Sequence, residues 1–470
     1  MYTSEPADRT TYLSRRTLLK GGLAAVAAAL LEPGSLFAGR RRPADPAASE
    51  RPYLEVARRA ERWIARSAIR TAHGTAWPVD PNDPESVRLD LYSGIPGVVL
   101  FYLELYAATG DRGALGEAAA GADYLAGSLP GEEGVADAGL YTGLAGIAYT
   151  LALAHRATRR PSLGDAAARA LTLVRAAARP EGRGVMWNDS TDIISGSAGI
   201  GLFLLWPKAL LDDPPAVELA AAAGRRLIEL GVPERGGLKW MIAPDISRNY
   251  PNFSHGTAGV SYFLASLYGA TGAGEFLDAA RAGAAYLQAL ATRTANDGRM
   301  IFHSEPGNEQ LYYLGWCHGP VGTARTFQLL GRLTGDRAYS DYVGRLAQAI
   351  IDMKVPDRSP GFWNNVGQCC GNAGVIEFFL ALHDVTGEPG HLEFAERVAA
   401  DTVRRATEDD GGLKWIQAEH RVQPELLIAQ TGLMQGAAGV GLAMLHLDGV
   451  GQVRRPLVVL PDDPFWRRGD

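Results

Sequence analysis

The cysteines of this chain are the residues with the most distinctive chemistry. There are three among 470 residues, at Cys317, Cys369 and Cys370. They do not form a Cys-x2-Cys knuckle, so a shared metal ion would require the fold to bring together two segments about fifty residues apart. Three thiols favour Zn²⁺, and three protein ligands with a fourth position open are typical of a catalytic zinc site. The alternatives are buried, apolar thiols or a vicinal disulfide between Cys369 and Cys370.

Each cysteine lies within two residues of a Gly-x-x-Gly motif, and this motif occurs seven times in the chain. Its first glycines are Gly94, Gly143, Gly196, Gly256, Gly319, Gly371 and Gly436. A nearly all-apolar run follows each copy, such as Val98 to Ala108, which is typical of a helix buried on every side. Several of these runs stop at a glycine, such as Gly110 or Gly272, which predicts a left-handed residue at the helix end.

Amphipathic segments with a period of 3.6 residues follow the apolar runs. They include Glu275 to Leu290, Tyr339 to Met353 and His391 to Thr407, and Tyr53 to Arg70 is predicted to be the outer helix of the first motif. The pattern predicts an all-α fold, an (α/α) toroid of seven inner and seven outer helices. An open solenoid is the alternative, but it would leave one face of the apolar helices in water. In a closed ring, the glycine turns begin the inner helices at one mouth.

The polar residues just before the glycine turns are therefore candidates for a site at that mouth. Asp192 lies four positions before the third turn, and His255 directly precedes the fourth. Thiols and His318 occupy the equivalent positions of the fifth and sixth turns. The remaining turns carry Ser93, Thr142 and Gln435. Small or apolar residues would suffice for packing, so an acid, histidines and thiols in consecutive turns predict one chemical site.

This combination of motifs resembles the lanthionine synthetase C family, the cyclases that form thioether rings in lanthipeptides. The resemblance extends from about Tyr53 to about Leu447 and implies a double ring of seven inner and seven outer helices. It also implies Zn²⁺ bound at the positions of Cys317, Cys369 and Cys370. The last position departs from the family, which usually has histidine there. A third thiolate would make a zinc-bound substrate thiolate more electron-rich.

The resemblance further implies roles for the polar residues. His255 matches the active-site histidine implicated in proton transfer, and Asp192 matches the acid of the Asp-Ile-Ile-Ser-Gly motif. From the residues alone, the alternatives are that His255 is an N-cap-like residue and Asp192 a capping carboxylate. His318 and Tyr313 are expected to contact substrate, although characterised cyclases tend to carry arginine at the latter position. The other histidines are interpreted as loop or surface residues: His73, His155, His303, His383, His391, His420 and His446.

The N-terminus resembles a twin-arginine export signal, with Arg15 and Arg16 followed by an apolar run too short to span a membrane. The alternative is a basic cluster beside a short helix. The predicted organisation is a signal segment over 1–38, a linker over 39–50, the toroid over 51–450 and a C-terminal tail over 451–470. We expect a periplasmic or extracellular protein, in contact with the membrane only through an uncleaved signal. Because Lys and Arg total 46 against 52 Asp and Glu, no nucleic-acid partner is expected.

These observations predict an exported, zinc-dependent protein that activates a thiol for addition to a dehydroamino acid or another unsaturated acceptor. Its substrate would be a thiol-containing peptide or small molecule, and a separate dehydratase would supply a dehydrated peptide, since the ring uses up the chain. Export conflicts with cytoplasmic lanthipeptide maturation and so favours a different thiol outside the membrane. The alternatives are a non-catalytic zinc and thiol binder, or a glycan-processing toroid enzyme, which would need two opposed carboxylates.

Overall fold

The computed structural model of the protein describes residues 51–131, 134–206, 214–357, 362–363 and 365–466. The predicted twin-arginine signal over 1–38 and the linker over 39–50 lie outside these ranges. No helix within them is long and apolar enough to cross a membrane.

Fourteen helices of the described chain form an inner and an outer ring, which confirms the predicted all-α toroid. The inner helices are α2 (Ile95–Thr109), α4 (Leu144–Thr158), α6 (Ser197–Leu205), α8 (Thr257–Thr271), α10 (Pro320–Thr334), α12 (Asn372–Thr386) and α14 (Ala437–Gly451). The outer helices are α1 (Pro52–Arg66), α3 (Arg112–Gly127), α5 (Pro161–Ala176), α7 (Pro214–Leu230), α9 (Gly274–Leu290), α11 (Arg337–Asp352) and α13 (Pro389–Arg404). Each of the first six inner helices packs on the outer helix that follows it in the chain. The core therefore lies between the two rings.

The ring closes where the first helix meets the last. Helix α1 packs on α14, and α14 also packs on α2. Arg51, just before α1, forms an ion pair with Asp448 of α14. The prediction that Tyr53 to Arg70 forms the outer helix of the first turn is therefore wrong. The first inner helix, α2, packs on α3, whereas α14 has no outer helix after it in the described chain and packs on α1 instead. The predicted end is also wrong, since α1 stops at Arg66.

The predicted glycine stops of the inner helices are confirmed. Gly110, Gly272, Gly335 and Gly387 each have a left-handed conformation, with φ of 71–72°. Each donates its N–H to a carbonyl four residues earlier, which satisfies one of the last helix acceptors. The inner helices therefore have defined ends, and the chain turns outward at the same level in these repeats.

Short β-strands, which the sequence analysis did not predict, occupy the loops before the glycine turns. Antiparallel hairpins are formed by β1 (Ile69–Thr71) with β2 (Gly74–Ala76), β3 (Arg179–Glu181) with β4 (Gly184–Met186), β5 (Val232–Glu234) with β6 (Gly237–Lys239), β7 (Thr292–Arg293) with β8 (Arg299–Met300), β11 (Thr407–Asp409) with β12 (Gly412–Lys414), and β13 (Ile416–Ala418) with β14 (Leu427–Ala429). Strand β9 (Tyr312–Tyr313) pairs in parallel with β10 (Phe362–Trp363). The predicted helix from His391 to Thr407 therefore ends too late, because Thr407 begins a strand.

Candidate active site

A ring of backbone hydrogen bonds joins the seven glycine turns. An N–H of each turn donates to a carbonyl of the next, with N···O distances of 2.8–3.2 Å. In order, the residues that form these bonds are Tyr92, Tyr141, Ile194 with Ile193, Ser254, Cys317, Cys369 and Met434. In the third turn Ile194 supplies the carbonyl and Ile193 the N–H. The N–H of Met434 donates to the carbonyl of Tyr92 and closes the ring. Except for Ile193, each lies two positions before the first glycine of its turn. The ring thus brings equivalent positions of distant repeats to one mouth of the toroid.

The three cysteines meet at this mouth because two of them are consecutive members of the ring. The N–H of Cys317 donates to the carbonyl of Cys369 at 3.2 Å. The sulfur of Cys370 lies 3.3 Å from that of Cys317 and 3.4 Å from that of Cys369. All three residues are buried and none forms a disulfide, whose S–S bond would be about 2.0 Å long. The predicted gathering of three thiols is present, and the vicinal disulfide is not.

Gly315 allows this close approach. A Cβ at this position would lie 2.5 Å from the carbonyl oxygen of Cys369 and 2.9 Å from the Cα of Cys370. No side chain fits at the first of these distances against backbone atoms. The glycine therefore lets the fifth turn lie directly against the sixth, which sets the spacing of the sulfurs.

Polar groups around the cysteines stabilise negative charge on one sulfur. Hydrogen bonds from Cys317 and Cys369 hold the pKa of the Cys370 thiol well below its usual range. Burial raises the pKa of the other two thiols. The amide of Gln435 lies 3.7 Å from the Cys370 sulfur and 3.0 Å from the Tyr92 hydroxyl. The pocket can therefore stabilise a thiolate, which is the form that binds metal ions.

His255 and Asp192 form a hydrogen-bonded pair on the two turns next to the cysteines. The Nδ1 of His255 lies 2.6 Å from Oδ2 of Asp192, which is buried. The other carboxylate oxygen accepts the N–H groups of Ser195 and Gly196 at 2.9 and 2.7 Å. Asp192 thus both holds the third turn and orients His255. The N-cap residue of α8 is Gly256, not His255.

A cluster of aromatic rings lies beside this pair. The ring of His318 is 5.6 Å from His255 and 5.6 Å from Tyr313, measured between centroids. His303 lies 4.3 Å from His318 and 4.5 Å from Tyr313, and Tyr250 lies 5.4 Å from His318. Burial lowers the pKa of His303 to about 3 and raises that of Tyr313 above its usual range. His303 and Tyr313 are therefore uncharged at neutral pH.

Two interpretations of histidines from the sequence are corrected by these positions. His303 is at the candidate site, and His446 is buried among carboxylates inside the ring. No pattern marked them, because His303 is in a loop far before its glycine turn and His446 is inside an inner helix.

The sequence comparison agrees with this architecture. A family model for lanthionine synthetase C-like proteins matches residues 85–454, well over half of the chain. The chain belongs to the lanthionine synthetase C-like family. No curated protein matches it significantly in sequence.

Solved structures with the same fold include nisin cyclase. It has a TM-score of 0.59 and 17% identity over 85% of this chain and 93% of that chain. The GH76A α-1,6-mannanase from Salegentibacter sp. HEL1_6 has a TM-score of 0.47 and 13% identity over 85% of this chain and 99% of that chain. At these identities the likeness to nisin cyclase shows the fold alone, an α/α toroid.

Two further features of this lanthionine synthetase C-like chain belong to the site. Cys370 completes a cluster of possible ligands that consists of three thiols within 4.8 Å of one another. Arg421, from the loop between β13 and β14, forms a hydrogen bond with Tyr313. Arg421 was not predicted from the sequence, because that loop does not align with any glycine turn.

The arrangement can hold a metal ion next to an oriented histidine. The donor set is three buried soft ligands, which suits a borderline-soft cation rather than a hard one. A glycan-processing site would instead need an acid able to protonate a leaving group opposite a second carboxylate. Asp192 does not suit that task, because both of its oxygens are engaged by the third turn and His255.

Proposed function

We propose that this protein is a zinc-dependent enzyme that adds a thiol to an unsaturated acceptor and so forms a thioether. The acceptor is a dehydroalanine or dehydrobutyrine residue, and the thiol is a cysteine side chain of a peptide. The observation that carries the proposal is the meeting of three buried thiols beside the His255–Asp192 pair. The thioether-forming cyclases of the same family support it.

Cys317, Cys369 and Cys370 are the residues that would hold the metal. Thiolates favour zinc over hard cations, and three protein ligands leave a fourth position for a substrate sulfur. Bound zinc would supply the charge that keeps a substrate thiol ionised at neutral pH. Gly315 and the ring of backbone hydrogen bonds fix the spacing of the ligands, so little rearrangement is needed to bind the ion.

His255 is the group that we assign to proton transfer. Attack of sulfur on the β-carbon of a dehydroalanine forms the C–S bond and moves the π electrons toward the α-carbon and its carbonyl. The α-carbon then takes a proton, and the product has the same atoms as the reactants. His255 can accept the thiol proton and return it to carbon through Nε2, because Asp192 engages Nδ1. His318 and Tyr313 are assigned to contact with the acceptor.

The sequence and the family also support a proposal for the location and the substrate. We propose export by the twin-arginine route, since Arg15 and Arg16 precede a short apolar run. A separate dehydratase would supply a dehydrated peptide. A small-molecule thiol is the alternative substrate, because export separates the protein from cytoplasmic peptide maturation.

The test is metal analysis combined with a cyclisation assay. The purified protein should contain one zinc ion per chain, and Cys317→Ala should contain none. Ser254→Ala is the matched control, because Ser254 occupies the equivalent ring position and its buried hydroxyl has no hydrogen-bond partner within the described chain. A synthetic peptide with one cysteine and one dehydroalanine should lose its free thiol only with metal-loaded protein. Zinc binding with reversible thiol binding, but no thioether, would instead identify a non-catalytic binder.

A further inference from the structure

The residues after α14 run back between the inner helices. Val458, Asp462 and Phe465 of this segment are buried, with side-chain exposures of 3%, 0% and 4%. Four inner helices hold it. Glu104 of α2 accepts from the N–H groups of Leu457 and Val458, and Tyr149 of α4 donates to the carbonyl of Val459. Arg332 of α10 donates to the carbonyl of Pro464, and Phe378 of α12 packs on Phe465. Residues 457–466, called here the C-terminal segment, thus fill space enclosed by the inner ring.

Asp462 of the C-terminal segment is fully buried and is bonded through both its carboxylate and its backbone carbonyl. Its carboxylate accepts the indole N–H of Trp316 at 2.8 Å and the hydroxyl of Tyr141 at 3.1 Å. Its backbone carbonyl accepts from Arg325 at 2.8 Å, and the guanidinium lies 3.8 Å from its carboxylate. Burying a carboxylate is costly unless it is paired and hydrogen-bonded, and these partners supply that compensation.

Trp316 differs from other tryptophans of the toroid in its hydrogen-bond partner. The indoles of Trp187, Trp240 and Trp415 each donate to a carbonyl of an outer helix thirteen residues earlier. Those bonds are local and join a hairpin to its own helix. Trp316 donates instead to a carboxylate 146 residues later in the chain. A backbone carbonyl satisfies an indole elsewhere in this fold, so a buried acid is not required for that purpose alone.

The bond from Asp462 reaches the candidate metal site through one peptide unit. Trp316 directly precedes Cys317, and its ring packs 4.9 Å from Tyr141 and 5.7 Å from Phe253. The backbone of Cys317 is fixed on both sides by the turn-to-turn ring. The indole bond fixes the residue before it from a third direction, the interior of the toroid. Together these contacts restrict how the Cys317 sulfur can move.

We propose that Asp462 is a positioning residue of the three-cysteine site. By holding the Trp316 indole, it keeps the Cys317 sulfur in register with the sulfurs of Cys369 and Cys370, and thereby raises the affinity for the metal ion. The C-terminal segment is then part of the site rather than an appended tail. This role rests on the proposed metal site, and it assigns to the segment a function beyond packing.

The experiment compares metal binding by variants of the full chain. Trp316→Phe keeps an aromatic six-membered ring but loses the N–H and the rest of the indole, and Asp462→Leu removes the carboxylate that accepts the N–H at similar side-chain size. Each should bind zinc about tenfold more weakly in competition with a chromophoric chelator, the size typical of groups that orient metal ligands. The double variant should bind zinc no more weakly than the single variant with the lower zinc affinity, because both changes break the same interaction. Asp463→Asn is the control, since Asp463 lies 3.4 Å from the same Arg325 but does not contact Trp316 among the described contacts.

A second readout distinguishes positioning from general stability. The sulfur-to-metal charge-transfer absorption of the Co²⁺-loaded protein should change in Trp316→Phe and not in Tyr141→Phe, which loses the other bond to Asp462. A lower melting temperature with zinc affinity within twofold of the wild type would overturn the role of Asp462 and leave the proposed function intact. A wild-type protein that binds no zinc or Co²⁺ would overturn both.

Discussion

Replacement of Asp192 by asparagine separates two roles that this one side chain combines. Oδ1 accepts two backbone N–H groups of the third turn, and Oδ2 lies 2.6 Å from His255. Asparagine can keep the first pair of bonds through its carbonyl oxygen. Its NH₂ group then faces Nδ1 of His255, so the neutral imidazole must carry its proton on Nε2. The imidazolium also loses the carboxylate that stabilises it.

The size of each effect follows from these contacts. Because the turn keeps its acceptor, we expect a loss of about 1 kcal/mol in the free energy of unfolding, typical of one altered hydrogen bond. Loss of a positioned proton-transfer group costs about 10²–10⁴ in rate. We therefore expect Asp192→Asn to lower kcat by at least about 10², or roughly 3 kcal/mol in the activation barrier. The metal content should not change, because Asp192 does not contact the cysteines in the described contacts.

The assay uses the synthetic peptide with one cysteine and one dehydroalanine. Cyclisation does not change the mass of the peptide, so remaining free thiols are counted by alkylation and mass spectrometry. Asp90→Asn is the matched control, because Asp90 lies at the same position of the first turn and accepts from the N–H and hydroxyl of Ser93. It should cost similar stability and leave the rate within about threefold. A rate near wild type in Asp192→Asn, or an equal loss in Asp90→Asn, would refute the assignment of His255.

Three further predictions follow from the site and the core. Gly315→Ala should weaken zinc binding about tenfold and cost about 2 kcal/mol of stability, because its Cβ would lie 2.5 Å from a backbone carbonyl oxygen; zinc titration and thermal denaturation measure both. Gly116→Ala is the control, because nothing lies within 4 Å of the added Cβ, and it should stabilise the protein by about 0.5–1 kcal/mol. Equal effects of the two substitutions would contradict the close contact inferred at Gly315. Although burial opposes it, Glu377 and Glu104 raise the pKa of His446 to about 10. The contribution of protonated His446 to the free energy of unfolding, on the order of a few kcal/mol, should be complete below about pH 6.5 and be lost as the pH rises toward 10. His446→Gln should make the free energy of unfolding, measured by denaturation at several pH values, depend less on pH in this range. An unchanged dependence on pH would contradict the role of His446. Cys370→His should still bind one zinc ion by metal analysis but add thiols more slowly, because a neutral ligand replaces a thiolate; a faster rate would contradict this.

The fold could be predicted because its signal repeats. Seven glycine turns with apolar runs fixed the number of inner helices, and stops such as Gly110 fixed their ends. The hairpins were missed because strands of two or three residues are too short to show alternation. The pairing of α1 with α14 was also missed, since periodicity identifies a buried face but not the helix that covers it.

The site could be predicted only where its residues belong to the repeat. His255 and the cysteines occupy fixed positions before a glycine, so alignment of the turns brings them together. His303, Arg421 and Asp462 come from a loop, a hairpin and the C-terminal segment. Their proximity arises from tertiary packing with no common spacing, and no alignment of turns includes them.

Asp192 meets His255 at the one irregular member of the hydrogen-bonded ring. In the other turns a single residue supplies both the N–H and the carbonyl, whereas the third turn accepts through Ile194 and donates through Ile193. Asp192 belongs to this shifted turn and contacts His255 of the fourth turn. Asp90 has the same position in a regular turn and pairs with Arg88, and the turn after it carries Thr142 where the fourth turn carries His255. A carboxylate before a glycine turn is therefore insufficient to form such a pair, because the next turn must also supply the histidine.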